Sequence, residues 1–437
     1  VSEVRSLMIQ ALQQGILPIT SQCNVKCLFC SHRFNPPGVK TYSFFARSVS
    51  EIREDVALVK RLKTITMGES VTTLIEGEPL CHPEFTAIMS LVRDHYPHAL
   101  IRLTTNGVLL TESILQQLKE LGSVELMLSL NSATTRGRAA LGLSEADTLL
   151  SLLSRLADYV PWHGSVVAMP HRVGLEDVAQ TLEELCMAGA RTVRVFVPGF
   201  TRLAPVDLVP SAEDMMQVKN LVQATQTRFA TPILLEPDYI NDLLPIVQGS
   251  MDNSPAREAG FVGGELVHAV NGERPRSRVH AFNLVEAAEN PTIRYKRGVG
   301  ELVVTVAKAR GEKSGLVMQY DMSPLEMDDL LTTVEEAVFL KKKVLVLASV
   351  LGHGVVWQVL QGTAARIEKV ESRFFGGNIA TAGLLTVEDF AHVLERERRM
   401  DSALVVLPHK AFDLRGRDLN GRSYLTLQDF GCRVVLV

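Results

Sequence analysis

The sequence predicts an α/β protein: a partial (β/α)6 barrel, then a small α+β unit, then a smaller α/β unit. Three observations predict it. Short apolar runs alternate with amphipathic stretches through the first half of the chain. Capping and turn residues fall between those runs. The pattern changes near residues 210–237 and alternates again over the last 120 or so residues. Right-handed crossovers convert strict strand–helix alternation into a parallel sheet covered by helices, with chemistry at the C-terminal ends of the strands. The chain has 437 residues, 46% hydrophobic and 22% charged, with a formal charge of −4. That composition excludes disordered, collagen-like and strongly basic nucleic-acid-binding classes. The length gives room for several cores, expected at residues 1–236, 237–318 and 319–437.

Six strands are expected, at residues 16–22, 72–77, 100–105, 124–131, 165–169 and 192–197. Between them, Ser48 and Glu51 form a capping-box signature ahead of Ile52, Val56 and Val59. Pro83 opens the next helix, with Phe85, Ile88, Met89 and Val92 as its apolar stripe. Thr111 caps a third helix, with Ile114, Leu118 and Leu121 inside and Gly122 as its stop. Val178, Leu182 and Leu185 mark another, ending at Gly189. A short strand at 233–235 leads away from this unit.

Further along, Ser254-Pro255-Ala256-Arg257-Glu258-Ala259-Gly260-Phe261, Gly264-Glu265-Leu266-Val267 and Val270-Asn271-Gly272-Glu273 resemble PDZ domains, with residues 292–296 and 301–306 as the two strands after the helix. The carboxylate-binding loop of that fold has no clear counterpart near Tyr239-Ile240-Asn241. Peptide capture by strand addition and a packing module without a peptide both remain open. The last unit has a helix from Pro324 and strands near 344–347, 365–370 and 403–407. Residues 344–360 are too short and polar for a membrane span of roughly 20 residues, and are expected as a buried strand turning into a helix. Phe374-Phe375-Gly376-Gly377-Asn378 and Ala382-Gly383-Leu384-Leu385-Thr386, before a helix through Phe390 and Leu394, resemble an uncharacterised domain found beside PDZ modules in some iron–sulfur oxidoreductases.

Six cysteines are too few for a disulfide scaffold, and three of them fall in the eight residues Cys23-Asn24-Val25-Lys26-Cys27-Leu28-Phe29-Cys30. Such clustering suits metal or redox chemistry in a reducing, cytoplasmic compartment. The first residues also lack the basic start, apolar run and small-residue site of a secretory signal. Soft thiolates select iron–sulfur clusters, zinc or copper(I), and zinc stays open here with His32 as a fourth ligand. The CxxxCxxC spacing, with aromatic Phe29 before the third cysteine, resembles the radical SAM superfamily. So does Glu76-Gly77-Glu78-Pro79-Leu80 at a strand end.

That resemblance implies a [4Fe–4S] cluster on Cys23, Cys27 and Cys30 with one iron open to S-adenosylmethionine. It implies Phe29 against adenine, Gly77 and Glu78 at the methionine ammonium, and Thr105, Asn106, Ser129 and Asn131 toward the methionine and ribose. Turn chemistry explains the last four equally well. Arg136 or, preferred, Arg138 would take the methionine carboxylate, although a solvated helix face suits either. Met169 and Val195 would line the adenine pocket or simply pack. Cys81 is a hydrogen donor to a substrate radical, a ligand of a second metal, or a small core residue. Cys186 and Cys432 are expected in cores, and His82 and His171, near strand ends, either meet substrate or, preferred, are structural residues.

The expected enzyme is oxygen-sensitive. An electron from a flavodoxin or ferredoxin cleaves S-adenosylmethionine reductively, and the resulting 5′-deoxyadenosyl radical abstracts hydrogen from an unknown substrate, small or peptidic. The alternatives are an iron–sulfur electron carrier or scaffold without that cleavage, and a zinc-binding interaction protein working through its PDZ-like unit.

Overall fold

The structure is a computed structural model, described over residues 3–71, 73–397 and 403–437. The chain divides into two compact units. The first comprises Val1–Phe34, Lys40–Pro198 and Pro205–Glu236, and the second Asn35–Val39, Gly199–Ala204 and Pro237–Val437.

In the first unit, β1 (Thr64–Met67), β2 (Leu100–Thr105), β3 (Val124–Ser129), β4 (Trp162–Val167), β5 (Val193–Phe196) and β6 (Ile233–Glu236) form one sheet in sequential order. Every neighbouring pair is parallel. An α/β fold with six parallel strands is therefore present, consistent with a partial barrel, but its membership differs from expectation.

Segment 16–22 is not a strand. Ile16 makes one bridge to Thr66; Pro18 has no N–H to offer, and the N–H of Ile19 goes to the Glu76 carboxylate, so no ladder can propagate. Thr72 lies outside the described residues. Thr73 O accepts from Tyr42 N–H, Ile75 N–H donates to Tyr42 O and Gly77 N–H to Thr20 O, so this stretch is a loop laid against other loops. The first strand is instead Thr-Ile-Thr-Met, whose Ile65 and Met67 alternate inward but which at four residues between Lys63 and Gly68 is too short to stand out from a loop. β6, expected to lead away, completes the sheet. β4 begins earlier than expected and stops before Met169, which precedes a helical turn opened by Pro170.

The helices follow their local chemistry. Ser48 and Glu51 exchange capping-box bonds ahead of Val49–Leu58. Phe85–His95 buries Phe85, Ile88, Met89 and Val92 as expected. Thr111 caps Glu112–Leu121, whose deepest residues are Leu115 and Leu118, and Gly122 ends it at φ +69°. Leu175–Met187 buries Val178, Leu182 and Leu185. These faces join Ile65, Leu103, Leu126, Trp162 and Val195 in one core.

In the second unit, β7 (Gly249–Ser250) pairs with β11 (Leu316–Val317), and β8 (Leu266–Val270), β9 (Thr292–Arg297) and β10 (Gly300–Thr305) form an antiparallel sheet ordered β10-β9-β8. The helix Arg278–Ala287 contributes Ala281 and Val285 to their core, beside Phe261 and Tyr295. A parallel sheet follows, formed by β12 (Val344–Ser349), β13 (Arg366–Val370), β14 (Leu404–Leu407) and β15 (Arg433–Leu436), ordered β13-β12-β14-β15. All six residues of β12 are buried, as its unbroken apolar run requires. β15 was not expected. Among the described residues, no helix is long and apolar enough to cross a membrane.

Candidate functional site

Cys23, Cys27 and Cys30 lie in one loop, Cys23 and Cys30 exposed and Cys27 half-buried, all with free thiols. The loop is held by its backbone: Leu28 N–H donates to Leu141 O (3.0 Å), and Cys30 N–H to Cys27 O (3.3 Å). Arg33 donates to Cys27 O at 3.2 Å. Burial pushes the Cys27 thiol up to about 11, helped by the charges of Cys23 and Cys30 and opposed by Arg138. Burial also raises Cys23, with the Glu78 charge adding to it. Cys23 and Cys27 thus sense the groups around them and resist ionising until a cation is present. Among the described residues, no three His, Cys, Asp or Glu side chains are gathered tightly enough to hold a single metal ion. A cluster makes a different demand, because its thiolates bind separate corner irons. The soft, three-sulfur donor set fits that group.

Glu78 organises the opposite side. It is 3% exposed. Its Oε1 accepts from Thr105 Oγ1 (2.7 Å) and Leu80 N (3.2 Å), and its Oε2 from Asn106 N (2.7 Å). Desolvation still raises its pKa against those bonds. Oε2, with a single donor, keeps acceptor capacity for another. Asn106 extends the connection: its Nδ2 donates to Asn24 Oδ1 at 2.8 Å, tying the end of β2 to the residue after Cys23.

The glycine of this motif serves a purpose the sequence did not reveal. A Cβ on Gly77 would lie 2.0 Å from Gln22 O. Gly77 N–H donates to Thr20 O (2.7 Å) and Glu78 N–H to Gln22 O (2.8 Å). Gly77 therefore admits the backbone leading into Cys23, so the close approach it permits is to the protein's own chain.

At the ends of the next strands, Ser129 Oγ lies 3.0 Å from Ser165 Oγ. Asn131, at φ +61°, accepts from Val167 N at 2.8 Å. The Arg138 guanidinium is buried and donates to the carbonyls of Ser144 (2.6 Å), Leu130 (3.1 Å) and Ser132 (3.3 Å). Burial lowers its pKa, while the nearby Cys27 raises it. Arg136 is exposed. Phe29 is half-buried, and Met169 is fully buried beyond the end of β4. Val195 belongs to the core and is fully packed there.

Cys81 ends the turn after Glu78, half-buried. Burial raises it first, then the charges of Glu78 and Cys23, so it shares their neighbourhood. Cys186 and Cys432 are buried. Both His82 nitrogens are used: Glu84 N–H donates to Nδ1, so Nε2–H donates to Arg47 O at 2.8 Å. His171 Nε2 lies 3.2 Å from Leu208 O. His32 is bonded to the Val71 backbone.

Sequence reasoning missed Glu76, Asn24 and Arg47. Glu76 accepts from Ile19 N at 3.0 Å, and burial pushes its carboxyl up to about 8. Among the described residues, its Oε2 has no hydrogen-bond partner. Arg47 is buried against Asp55 and donates to Pro18 O at 2.8 Å, fixing the segment that leads into the cysteines. Only the acidic character of Glu76, directly before Gly77, was visible beforehand.

Residues 17–199 match the profile of the Radical SAM superfamily. Membership of that superfamily is thereby supported. Over 248 residues the chain is 26% identical to the tungsten-containing aldehyde ferredoxin oxidoreductase cofactor-modifying protein of Pyrococcus furiosus, covering 55% of this chain and 56% of that protein. A GTP 3′,8-cyclase of Aquifex aeolicus is 33% identical over 120 residues, covering 26% of this chain and 34% of the cyclase. The mycofactocin maturase MftC of Mycobacterium tuberculosis is 24% identical over 218 residues, covering 49% and 52%. The chain thus spans from about a third to just over half the length of these curated relatives. Among solved structures, Streptococcus suis SuiB bound to S-adenosylmethionine aligns with a TM-score of 0.38 at 13% identity, over 51% of this chain and 46% of that one. The family match and the curated relatives indicate an enzyme of unspecified reaction, and the cofactors of the radical SAM superfamily are a [4Fe–4S] cluster and S-adenosylmethionine.

Proposed function

We propose that this chain is a radical SAM enzyme in which Cys23, Cys27 and Cys30 hold a [4Fe–4S] cluster with one iron left for S-adenosylmethionine. The observation that carries the proposal is the continuous connection from the cysteine loop through Asn24 and Asn106 to Glu78. It places a buried carboxylate within electrostatic range of Cys23. When bound, the reduced cluster supplies the electron that cleaves the sulfonium, the step from which hydrogen abstraction begins.

The chain's own residues bind and orient. Glu78 Oε2 accepts from the methionine ammonium while Thr105 and the Asn106 N–H keep the carboxylate aimed. Gly77 fixes the backbone on which that geometry depends. Arg138 offers positive charge to the methionine carboxylate. Ser129, Asn131 and the Asn106 side chain address the polar portions of the ligand, and Phe29 and Met169 supply apolar surface for adenine. Val195 supports that wall from the core. Cys81 stands where a thiol hydrogen can pass to a substrate radical.

A flavodoxin or ferredoxin is the electron donor in this reading, and the free cysteines and exposed ligand loop suit an oxygen-sensitive protein of the reducing cytoplasm. The PDZ-like segment supports a docking role for a protein or peptide substrate. Anaerobic reconstitution followed by dithionite and S-adenosylmethionine tests the proposal: 5′-deoxyadenosine is expected from the intact protein and not from Cys27→Ala. A fully loaded cluster that forms none with S-adenosylmethionine and candidate substrates present would favour the electron carrier, and a colourless zinc protein would favour the interaction module.

A further inference from the structure

The parallel sheet of the second unit has a topology with a consequence of its own. From β12 the chain passes first to β13 on one side and later to β14 on the other, so the connections leaving the carboxyl ends of β12 and β14 diverge. Diverging connections open a crevice at that edge, the usual ligand position in doubly wound sheets. A cleft of about 380 Å³ lies there, with Leu330, Val346, Leu347 and Val355 among its walls. That is enough room for a small organic molecule.

We infer that this cleft is a second small-molecule site, separate from the cysteine loop, and that it takes a neutral, largely apolar molecule carrying one hydrogen-bonding end of the primary-amide type. The apolar walls account for the body of such a ligand. Two polar groups account for its end. Ser349 is 3% exposed and accepts from Gly352 N at 3.1 Å, which leaves its own O–H to donate inward. At the rim, Lys410 Nζ is 3.0 Å from Glu326 Oε1 and 5.0 Å from the centre of the Tyr320 ring. Tyr320 OH donates to Glu326 Oε2 at 2.9 Å. Glu326 is held as a carboxylate, its pKa down at about 2, so the pair is fully ionised and sums to zero charge. Such a pair offers ammonium N–H to a carbonyl without demanding an anion.

A phosphate-bearing ligand is disfavoured by the same surroundings. Gly352-His353-Gly354 after a strand has the look of a phosphate loop, but a Cβ on Gly354 would meet Asn241 Oδ1 at 2.2 Å and Ile240 O at 2.8 Å. Gln358 also donates to Asn241 O at 2.9 Å. The glycine makes room for the protein's own chain at the start of the helix His353–Val359. Asp238 also lines the cleft, whereas the charge of Asp321 is balanced by Arg278 at 3.4 Å, so nothing in the lining calls for an anion.

The experiment is a titration of the methyl-labelled full-length protein with benzamide, inorganic phosphate and ADP, followed by NMR. Benzamide should shift the methyl resonances of Leu347 and Val355 saturably, and phosphate and ADP should not. Ser349→Ala should weaken benzamide by about three- to tenfold, and Ala382→Trp, which fills the cleft, should abolish the shifts. Shifts that are absent or scattered over the chain, the same methyls answering to phosphate or ADP, or undiminished affinity in Ser349→Ala would each overturn the inference. The mapping on the unaltered protein decides it even where the tryptophan variant does not fold, and none of these readouts requires a cluster.

Discussion

Two carboxyls, Glu76 and Glu78, stand one residue apart and titrate under different constraints. Glu78 is desolvated but held by three donors, whereas Glu76 has donors only on Oε1 and is driven up to about 8. A carboxyl whose folded pKa exceeds its unfolded value, ordinarily near ~4.3, favours folding most below that ordinary value. The contribution is lost as pH rises toward about 8. In Glu76→Gln, unfolding free energy should therefore fall less steeply than in the parent between those limits, where one group contributes up to about 1.4 kcal/mol per pH unit; chemical denaturation across that range measures it. Identical slopes would mean that Glu76 is ionised throughout. At Glu78, replacement by Ala leaves Thr105 and Asn106 without their acceptor. It should cost about 1–3 kcal/mol in stability and weaken S-adenosylmethionine binding, as read by calorimetry and equilibrium dialysis. The cysteines, Phe29, Glu78 and Asn106 were all visible as candidates because their spacing is local. The partners that aim them were not, since Asn106 and Asn24 are 82 positions apart in sequence.

At the scale of elements, what the sequence revealed depended on how far each signal reaches. Capping boxes are complete within four residues, and Ser48, Thr111 and Gly122 performed as their types dictate. Strand identity failed where it depended on partners: residues 16–22 are apolar enough for a strand, yet Pro18 and the claim of Glu76 on Ile19 N–H prevent a ladder, and β1 was hidden by its brevity. The PDZ-like phrases fall in a region where β8, β9 and β10 do form an antiparallel sheet. Two substitutions separate the functions of the glycines. Gly77→Ala puts a methyl 2.0 Å from Gln22 O and should displace the cysteine loop, seen as reduced iron incorporation. Gly122→Ala meets nothing within 4 Å, and should cost about 1–3 kcal/mol through backbone strain at φ +69°, ψ 159°, with iron loading unchanged.

For the whole molecule, the first unit ends at Glu236, while Gly199–Ala204 belongs to the second unit. Arg202 N–H donates to Phe375 O (2.7 Å) and Asn378 N–H to Phe200 O (3.1 Å). A fragment ending at Glu236 should therefore melt below the full-length protein by calorimetry, whereas an equal melting temperature would show that this segment adds nothing. The central claim concerns one iron atom without a protein ligand, and the most direct measurement is hyperfine spectroscopy of the reduced, reconstituted protein with S-adenosylmethionine labelled at its amino nitrogen or carboxylate oxygen. Coupling of the label to a cluster of about four irons, lost in Cys23→Ala, is the expected result; an intact cluster that shows no coupling to either label would contradict it.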